Sequence, residues 1–392
     1  MSAIDEEFEN RNIADDSDIL DEYESVARIV VIGVGGAGNN AVNRMIDEKV
    51  HNVVFHVMNT DKQALATSKA PHRHILGGEL TEGLGAGGDP EMGRKAAEAS
   101  EAKIREICEG AHMVFIAAGM GGGTGTGAAP VIARIAKSMN ILTIAIVTRP
   151  FGFEGKKRIA NSVKGLNELR ESVDSIIVVS NDKLLMSSGT AAISDAFSES
   201  DHILAQSVKT VTDLIVKPAI INLDFADVRN TLTKSGVALI GFGEGGGPNK
   251  AQDAAVNAIS SPLLETGIRG ARRAICAVTC GPTVSLYEAQ DCVERIIEAA
   301  GESIDIKFGV SINDKIGDKI MVSVIASDFE HQYDFEATAP TSGFARRTAT
   351  PESTNLELKS EEETKEETVT EDTNEEFGDN FLPDFLKSKH IE

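Results

Sequence analysis

The sequence predicts an α/β fold. A largely parallel sheet covered by helices on both faces leads through one long helix into a smaller α/β part with a mixed sheet. Three observations predict it. Short β-branched apolar runs alternate with helix-like stretches from residue 28 to about residue 180. Glycine-dense segments follow several of those runs, where ligands sit in such sheets, at the carboxyl ends of strands. Beyond Pro218 strands and helices continue without loops of that kind.

The elements follow in order. Arg28-Ile29-Val30-Val31-Ile32 is a short apolar run of buried-strand type, ended by Gly33. Further strands are expected at 53–58, 112–117, 141–147 and 175–179, and helices at 38–48, 91–107, 127–138 and 155–172. A helix over roughly 199–217 stops at Pro218. The second half shows strand patterns at 236–242, 272–280, 303–310 and 319–326, with helices near 250–260 and 285–300. No tandem repeat is visible.

The charge is unevenly placed. The 392 residues carry a formal net charge of −23. Residues 1–27 hold ten acidic side chains against Arg11 alone, and 352–376 hold eleven against Lys359 and Lys365. With −1 from each of 330–351 and 377–392, the body from 28 to 329 is left with only −3. Both acidic stretches, 1–27 and 330–376, are expected to be disordered, because they bury too little apolar surface to offset chain entropy. At the end, Phe377, Phe381, Leu382, Pro383, Phe385 and Leu386 form an apolar cluster beside Lys387 and Lys389, the pattern of a short peptide that folds on a partner.

Several functions are disfavoured. An acidic chain with 5% aromatic residues lacks the basic patches and stacking platforms of a nucleic-acid binder. No apolar run approaches the ~20 residues of a membrane span, and the acidic N-terminus is unlike a secretory signal. Four scattered cysteines without nearby histidines suggest buried, reduced thiols in a cytoplasmic protein.

The glycine segments carry the chemistry. Gly33-Val34-Gly35-Gly36-Ala37-Gly38 fits the dinucleotide pattern G-x-G-x-x-G, and Asp61 after the next strand suits a ribose-binding acid. Such a fold has no use for a second, denser loop, yet Gly121-Gly122-Gly123-Thr124-Gly125-Thr126-Gly127 lies between another strand and helix. There, consecutive N–H groups can converge on an anion, with two threonine hydroxyls beside a helix start. Gly83-Leu84-Gly85-Ala86-Gly87-Gly88-Asp89-Pro90 adds a third set of amides. No lysine follows in the P-loop position. Three such loops on one sheet edge can enclose a triphosphate with few cationic side chains, the remaining charge being met by a metal ion such as Mg²⁺.

These segments, with Asn59-Thr60-Asp61 and Asn222-Leu223-Asp224-Phe225-Ala226-Asp227, resemble FtsZ, the tubulin-like cell-division GTPase family of bacteria and archaea. The likeness runs from about 28 to 326 and extends to the acidic linker and terminal peptide. It implies a Rossmann-like GTP-binding domain over 28–198, a central helix over 199–217, an activation domain over 218–329, a linker over 330–376 and a partner-binding peptide over 377–392. By the same resemblance, Gly35, Gly36, Ala37, Asn39, Asn40, Ala86, Gly87, Gly88 and residues 121–127 hold the phosphates of GTP or GDP, and Asp61 belongs to the nucleotide site as well. Glu154 holds the ribose with Arg158 beside it, Phe197 stacks on the base, and Asn181 and Asp201 read the guanine edge.

Asn222, Asp224 and Asp227 carry hydrolysis in the resemblance, acting on the nucleotide of the next subunit in a head-to-tail filament. Two acids three apart at a helix start can orient one water, although Asp224 would also serve as a plain helix cap. The implied activity is a polymerisation-activated GTPase of a mid-cell ring, tethered through its terminal peptide to membrane-bound or division proteins, without nucleic acid and without inserting in the membrane itself. Mg²⁺ is expected to be held mainly by the phosphates. The other reading kept is a tubulin-like regulator of cell shape. Ser180 and Ala219 stand where the family commonly has Pro and Gly, while the phosphate-loop glycines and the acidic pair are intact.

Overall fold

The computed structural model describes residues 27–330 and Phe335, apart from 189–192, 217, 218, 262, 265, 266 and 302. Of the extension expected to be disordered over 1–27, residues 1–26 lie outside the described residues and Ala27 is buried in the core; Pro218, and the acidic linker and terminal peptide beyond Phe335, also lie outside the described residues.

The first half runs β1 (Ile29–Val34), α1 (Gly35–Asp47), β2 (Val54–Asn59), α2 (Lys62–Ala66), β3 (His72–Ile75), α3 (Gly78–Thr81), α4 (Pro90–Ala99), α5 (Glu101–Cys108), β4 (Met113–Gly119), α6 (Thr124–Ser138), β5 (Leu142–Arg149), α7 (Lys156–Ser172), β6 (Ser175–Ser180) and α8 (Asn181–Ser188). Helix α9 (Ile193–Val216) and α10 (Phe225–Leu232) lead to β7 (Gly236–Gly245), α11 (Lys250–Ile259), β8 (Ala271–Cys280), α12 (Leu286–Ala300), β9 (Asp305–Ile312) and β10 (Ile320–Phe329). The strands form a single ten-stranded sheet in the order β3-β2-β1-β4-β5-β6-β7-β10-β8-β9. Every pairing from β3 to β7 is parallel, whereas β10 runs antiparallel to both β7 and β8. The expected parallel sheet followed by a mixed one is therefore present, joined edge to edge through β6 and β7.

Strand alternation builds two cores. Val30, Ile32 and Val34 of β1 face a layer made by α4, α5, α6 and α7. Ile29 and Val31 point the other way, toward Ala41, Val42 and Met45 of α1 and Leu204, Ala205, Val208 and Val211 of α9. The last set recurs at i, i+1, i+4 and i+7, which places one stripe of α9 against the sheet. A third cluster packs Ala254, Ala255 and Ala258 of α11 and Cys292, Val293 and Ile296 of α12 against β8 and β10. All four cysteines are buried and unpaired.

Several boundaries differ from expectation. Helix α9 opens at Ile193, six residues before the expected 199, so Phe197 and Asp201 are both helical and one turn apart. The expected helix 91–107 is two helices that meet at Ser100. Ser100 Oγ donates to Ala96 O at 3.0 Å and accepts from Gly77 N–H at 3.1 Å, tying the break to the preceding loop. Helices α1 and α6 start three residues earlier than predicted, because residues assigned to loops form their first turns. Strand β3, His72-Arg73-His74-Ile75, has no apolar alternation and is placed only by its pairing with β2. The linker expected to be disordered from 330 instead contributes Phe335, 1% exposed, to the first core. Arg149 Nη2 donates to its carbonyl at 2.7 Å, and the Arg170 guanidinium lies 5.5 Å from the centre of its ring. One aromatic ring buries enough surface to hold a short segment down in an otherwise acidic stretch.

Helix α1 can approach β4 only because of a missing side chain. A Cβ on Gly38 would lie 2.3 Å from Ala117 O. Gly38→Ala is therefore expected to push α1 off the sheet and lower stability by about 2 kcal/mol, read as a lower urea midpoint. An unchanged midpoint would show that the helix shifts freely.

Candidate functional site

Three helices begin along one edge of the parallel sheet, at the carboxyl ends of β1, β4 and β6. Strand β1 runs directly into α1 at Gly35, β4 into α6 at Thr124 through four residues, and β6 into α8 at Asn181. Neither α1 nor α6 has a side-chain cap: Val34 and Gly123 precede them with no side-chain hydrogen bond to the first N–H groups. Two helices of 13 and 15 residues thus direct uncommitted backbone donors and the positive ends of their dipoles into the same space.

That space is a cavity of about 440 Å³. Residues 34–37, Asn40, 119–120 and 122–125 line one end, and Thr148, Pro150, Glu154, Arg158, Asn181, Phe197, Ser200 and Asp201 the other. The two glycine turns touch. Gly35 has φ +71°, and a Cβ there would lie 2.9 Å from Gly125 N. At this contact the floor is bare backbone, because a side chain on Gly35 would run into Gly125. Thr60 Oγ1, at the end of β2, sits 2.7 Å from Thr124 Oγ1 and ties the second turn to the neighbouring strand.

The other end sets an exposed aromatic ring beside polar side chains. Phe197, 43% exposed, meets the buried Phe151 edge-on at 4.9 Å, and Phe151 stacks on Phe153. Ser200 Oγ donates to Asn181 Oδ1 at 2.8 Å, leaving the Asn181 amide N–H₂ as a donor. Asp201 supplies an acceptor nearby, and burial pushes its carboxyl up to about 7, with Arg44 pulling the other way. Glu154 accepts from Phe151 N–H at 2.9 Å and pairs with Arg158. Glu154 lies in a short 3₁₀ turn, Gly152–Glu154, before α7, so its pairing with Arg158 joins that turn to the helix. Gly152 N–H donates to Asp182 Oδ1 at 2.9 Å, anchoring this loop to α8.

Other candidates lie elsewhere. Asn39 is buried in α1, and neither its amide oxygen nor its nitrogen has a partner. Asp61 caps α2 by accepting from Gln63 N–H and Ala64 N–H, and does not line the cavity. Ala86 packs where a Cβ on Gly123 would fall, while Gly87 and Gly88, with positive φ, face open space. Thr126 Oγ1 accepts from Gly121 N–H at 2.8 Å, and a Cβ on Gly127 would lie 1.8 Å from Pro90 O, so these three residues shape the turn from behind. Asp224 caps α10 and accepts from Asp227 N–H at 2.7 Å; Asn222 Oδ1 accepts from Ala219 N–H, also at 2.7 Å. None of the three acidic-loop residues lines the cavity. Sequence reasoning missed Thr148, Pro150 and Ser200; Ser200, one residue before Asp201, is signalled only by its place on the same helix. Among the described residues no cluster of three or more His, Cys, Asp or Glu is arranged to hold a metal ion, and no helix is long and apolar enough to cross a membrane.

The geometry has counterparts in known proteins. The tubulin/FtsZ family GTPase-domain model matches residues 28–189, and the FtsZ family C-terminal-domain model matches 236–330. An empty FtsZ dimer from M. jannaschii is 37% identical, with a TM-score of 0.74 over 80% of this chain and 92% of that one. The chain belongs to the FtsZ family. A point mutant of M. jannaschii FtsZ is 36% identical, with a TM-score of 0.77, covering 83% of this chain and 98% of its own. A GTPγS-bound protofilament of CetZ2 from Haloferax volcanii shares the fold at 21% identity and a TM-score of 0.67, over 79% of this chain and 96% of that one. Membership makes the chain a protein of a GTPase family, and the cavity with its two uncapped helix starts is the part of it shaped for a phosphate-bearing ligand.

Gly122 tests that assignment. A Cβ there meets nothing within 4 Å, yet the residue lines the cavity. Gly122→Val is expected to leave thermal stability within about 0.5 kcal/mol and to weaken GDP binding at least about tenfold, measured by titration calorimetry. Undiminished binding would move the phosphates out of this turn.

Proposed function

We propose that the protein is a filament-forming cell-division GTPase whose subunits complete one another's active sites. The observation that carries this reading is a separation. Asp201 lies near the start of α9, while Asn222, Asp224 and Asp227 lie beyond its far end. From Asp201 to Val216 the helix rises about 22 Å, so the acidic pair of one chain cannot reach that chain's own cavity. Stacked head-to-tail, the acidic loop of one copy meets the phosphate end of the next, a heterologous contact that generates a filament.

In this reading the backbone donors at Gly35–Ala37 and Gly122–Gly125 hold the phosphates of GTP. Phe197 stacks on the base, Asn181 donates to the guanine carbonyl, and Asp201 accepts from its ring N–H and amino group. Mg²⁺ is held mainly by the phosphates, in keeping with a phosphate end that offers hydroxyls and amides but no carboxylate. The metal supplies charge neutralisation at the transferring group. Asp224 and Asp227 orient the attacking water for the neighbour's γ-phosphate. The acidic linker and the peptide 377–392 connect the filament to a membrane-bound or division partner, which places the protein in the cytoplasm at the division site.

Two measurements test this. Phosphate release per molecule should rise steeply with protein concentration as filaments sediment in GTP, and fall to the background when dilute; an equal rate from dilute monomers would sink the shared site. Asp224→Asn keeps a cap acceptor on α10 and is expected to abolish turnover while GTP still binds. The base end predicts a pH dependence. The carboxylate of Asp201 is the binding form, so below about pH 7 nucleotide association must first release a proton. GDP affinity should fall as pH drops from 8 to 6, approaching tenfold per unit. A flat profile would remove Asp201 from base recognition.

A further inference from the structure

The first core holds a residue from beyond the last strand of the sheet. Phe335 follows the end of β10 at Phe329, yet its ring, 1% exposed, belongs to the core that Ala145 and Val147 of β5 and Leu166 and Leu169 of α7 build. The Arg170 guanidinium lies 5.5 Å from the ring centre, and Arg149 Nη2 donates to the Phe335 carbonyl at 2.7 Å. Arg149 is itself 1% exposed. Its guanidinium keeps its charge at any ordinary pH, and a charge buried without acceptors is costly. The Phe335 carbonyl helps to make that burial tolerable.

Arg149 is also the last residue of β5, where the strand reaches the cavity wall. Thr148 before it and Pro150 after it both line the cavity. Within the sheet Arg149 pairs with Ser180, the neighbour of Asn181, and Asn181 lines the cavity too. Met120 N–H donates to Thr148 O at 2.9 Å, and a Cβ on Gly121 would lie 3.2 Å from Pro150 Cγ. The same strand end therefore abuts the phosphate turn. The residue whose side chain meets Phe335 is bonded on both sides to residues that face the ligand.

We propose that the seating of Phe335 and the occupation of the cavity are coupled through Arg149, a positioning residue. With the ring seated, the end of β5 is held in the form that binds nucleotide; with nucleotide bound, the ring is held in its seat. This rests on the reading of the cavity as the site of GDP and GTP. Unseating the ring withdraws the carbonyl, and the Arg149 guanidinium must then turn toward water or another acceptor. Thr148 and Pro150, joined to the same backbone, share that movement. Linkage makes the two preferences equal in size. A partner that draws the acidic tether away from the body would then lower nucleotide affinity from outside the cavity.

The test uses the full chain with GDP, which is not hydrolysed, so titration calorimetry reads equilibrium affinity. Each variant is measured at a temperature where circular dichroism shows it folded. Phe335→Ala should weaken GDP binding about fivefold or more, with Phe335→Leu between it and wild type. Arg170→Ala, which removes the cation over the ring, should shift affinity in the same direction. Conversely, GDP should slow amide exchange in the wild-type peptide that carries Phe335, read by mass spectrometry, more than in a peptide from the middle of β10. A ring that only fills the core would lower the urea midpoint of Phe335→Ala and move neither readout. Unchanged GDP affinity in Phe335→Ala, or exchange at Phe335 indifferent to GDP, overturns the inference. If Phe335→Ala does not fold, Phe335→Leu and the wild-type exchange decide in the same way. A wild-type chain that does not bind GDP overturns the nucleotide reading instead.

Discussion

The site depends on a contact between two stretches of backbone. Gly35 and Gly125 approach so closely that a methyl group on the first would sit 2.9 Å from the amide nitrogen of the second. This brings the starts of α1 and α6 to one point, and leaves their first N–H groups without side-chain partners. Those donors face the cavity and are open to an incoming acceptor. An anion placed there satisfies both helix starts at once, with no lysine or arginine spent on its charge. The rest of the parallel sheet serves this point. Gly38 lets α1 lie against β4, and the threonine pair of Thr60 and Thr124 locks the second turn to β2.

The end of the cavity at Phe197 and Asp201 works by a different principle. Its side chains are held from behind, by other side chains, before any ligand arrives. Phe151 supports Phe197, Ser200 orients Asn181, and Asp182 ties down the loop at Gly152. Such support fixes side-chain geometry in advance of a ligand, and in the proposed reading it sets how precisely the base is read. It also explains why α9 matters at both of its ends: it carries Phe197, Ser200 and Asp201, and its far end leads to Asp224.

Most strands of the parallel half were legible because they are short apolar runs with β-branched residues, and glycine segments punctuate β1 and β4. The FtsZ resemblance was legible in the same glycines and in the spacing of Asn222, Asp224 and Asp227. What could not be read locally was set by tertiary contact. Strand β3 is a polar stretch that becomes a strand only beside β2. The break at Ser100 depends on a hydrogen bond from Gly77. The early start of α9 lies in a serine-rich stretch of no clear period. Phe335 sits among charges and is fixed by Arg149, 186 residues earlier in the chain. Within the glycine segments, the pattern did not separate residues that line the cavity from those that shape it: Gly121, Thr126 and Gly127 brace the turn that Gly122–Gly125 present.

Asp201 gives the fold an energetic bias tied to its ligand. Its carboxyl titrates higher in the folded chain than in an unfolded one, so burial penalises its charged form. Without ligand, that penalty is absent near pH 4, grows as the pH rises toward 7, and is fully present above it. A ligand edge bearing two N–H groups removes much of the penalty by donating to both oxygens, so in the proposed reading guanine binding stabilises the start of α9 most where the empty protein is least content. The same helix ends beside the segment that places Asp224 at the head of α10. In the proposed reading, ligand binding at one end and the presentation of the acidic loop at the other both draw on the packing of this one helix against one core.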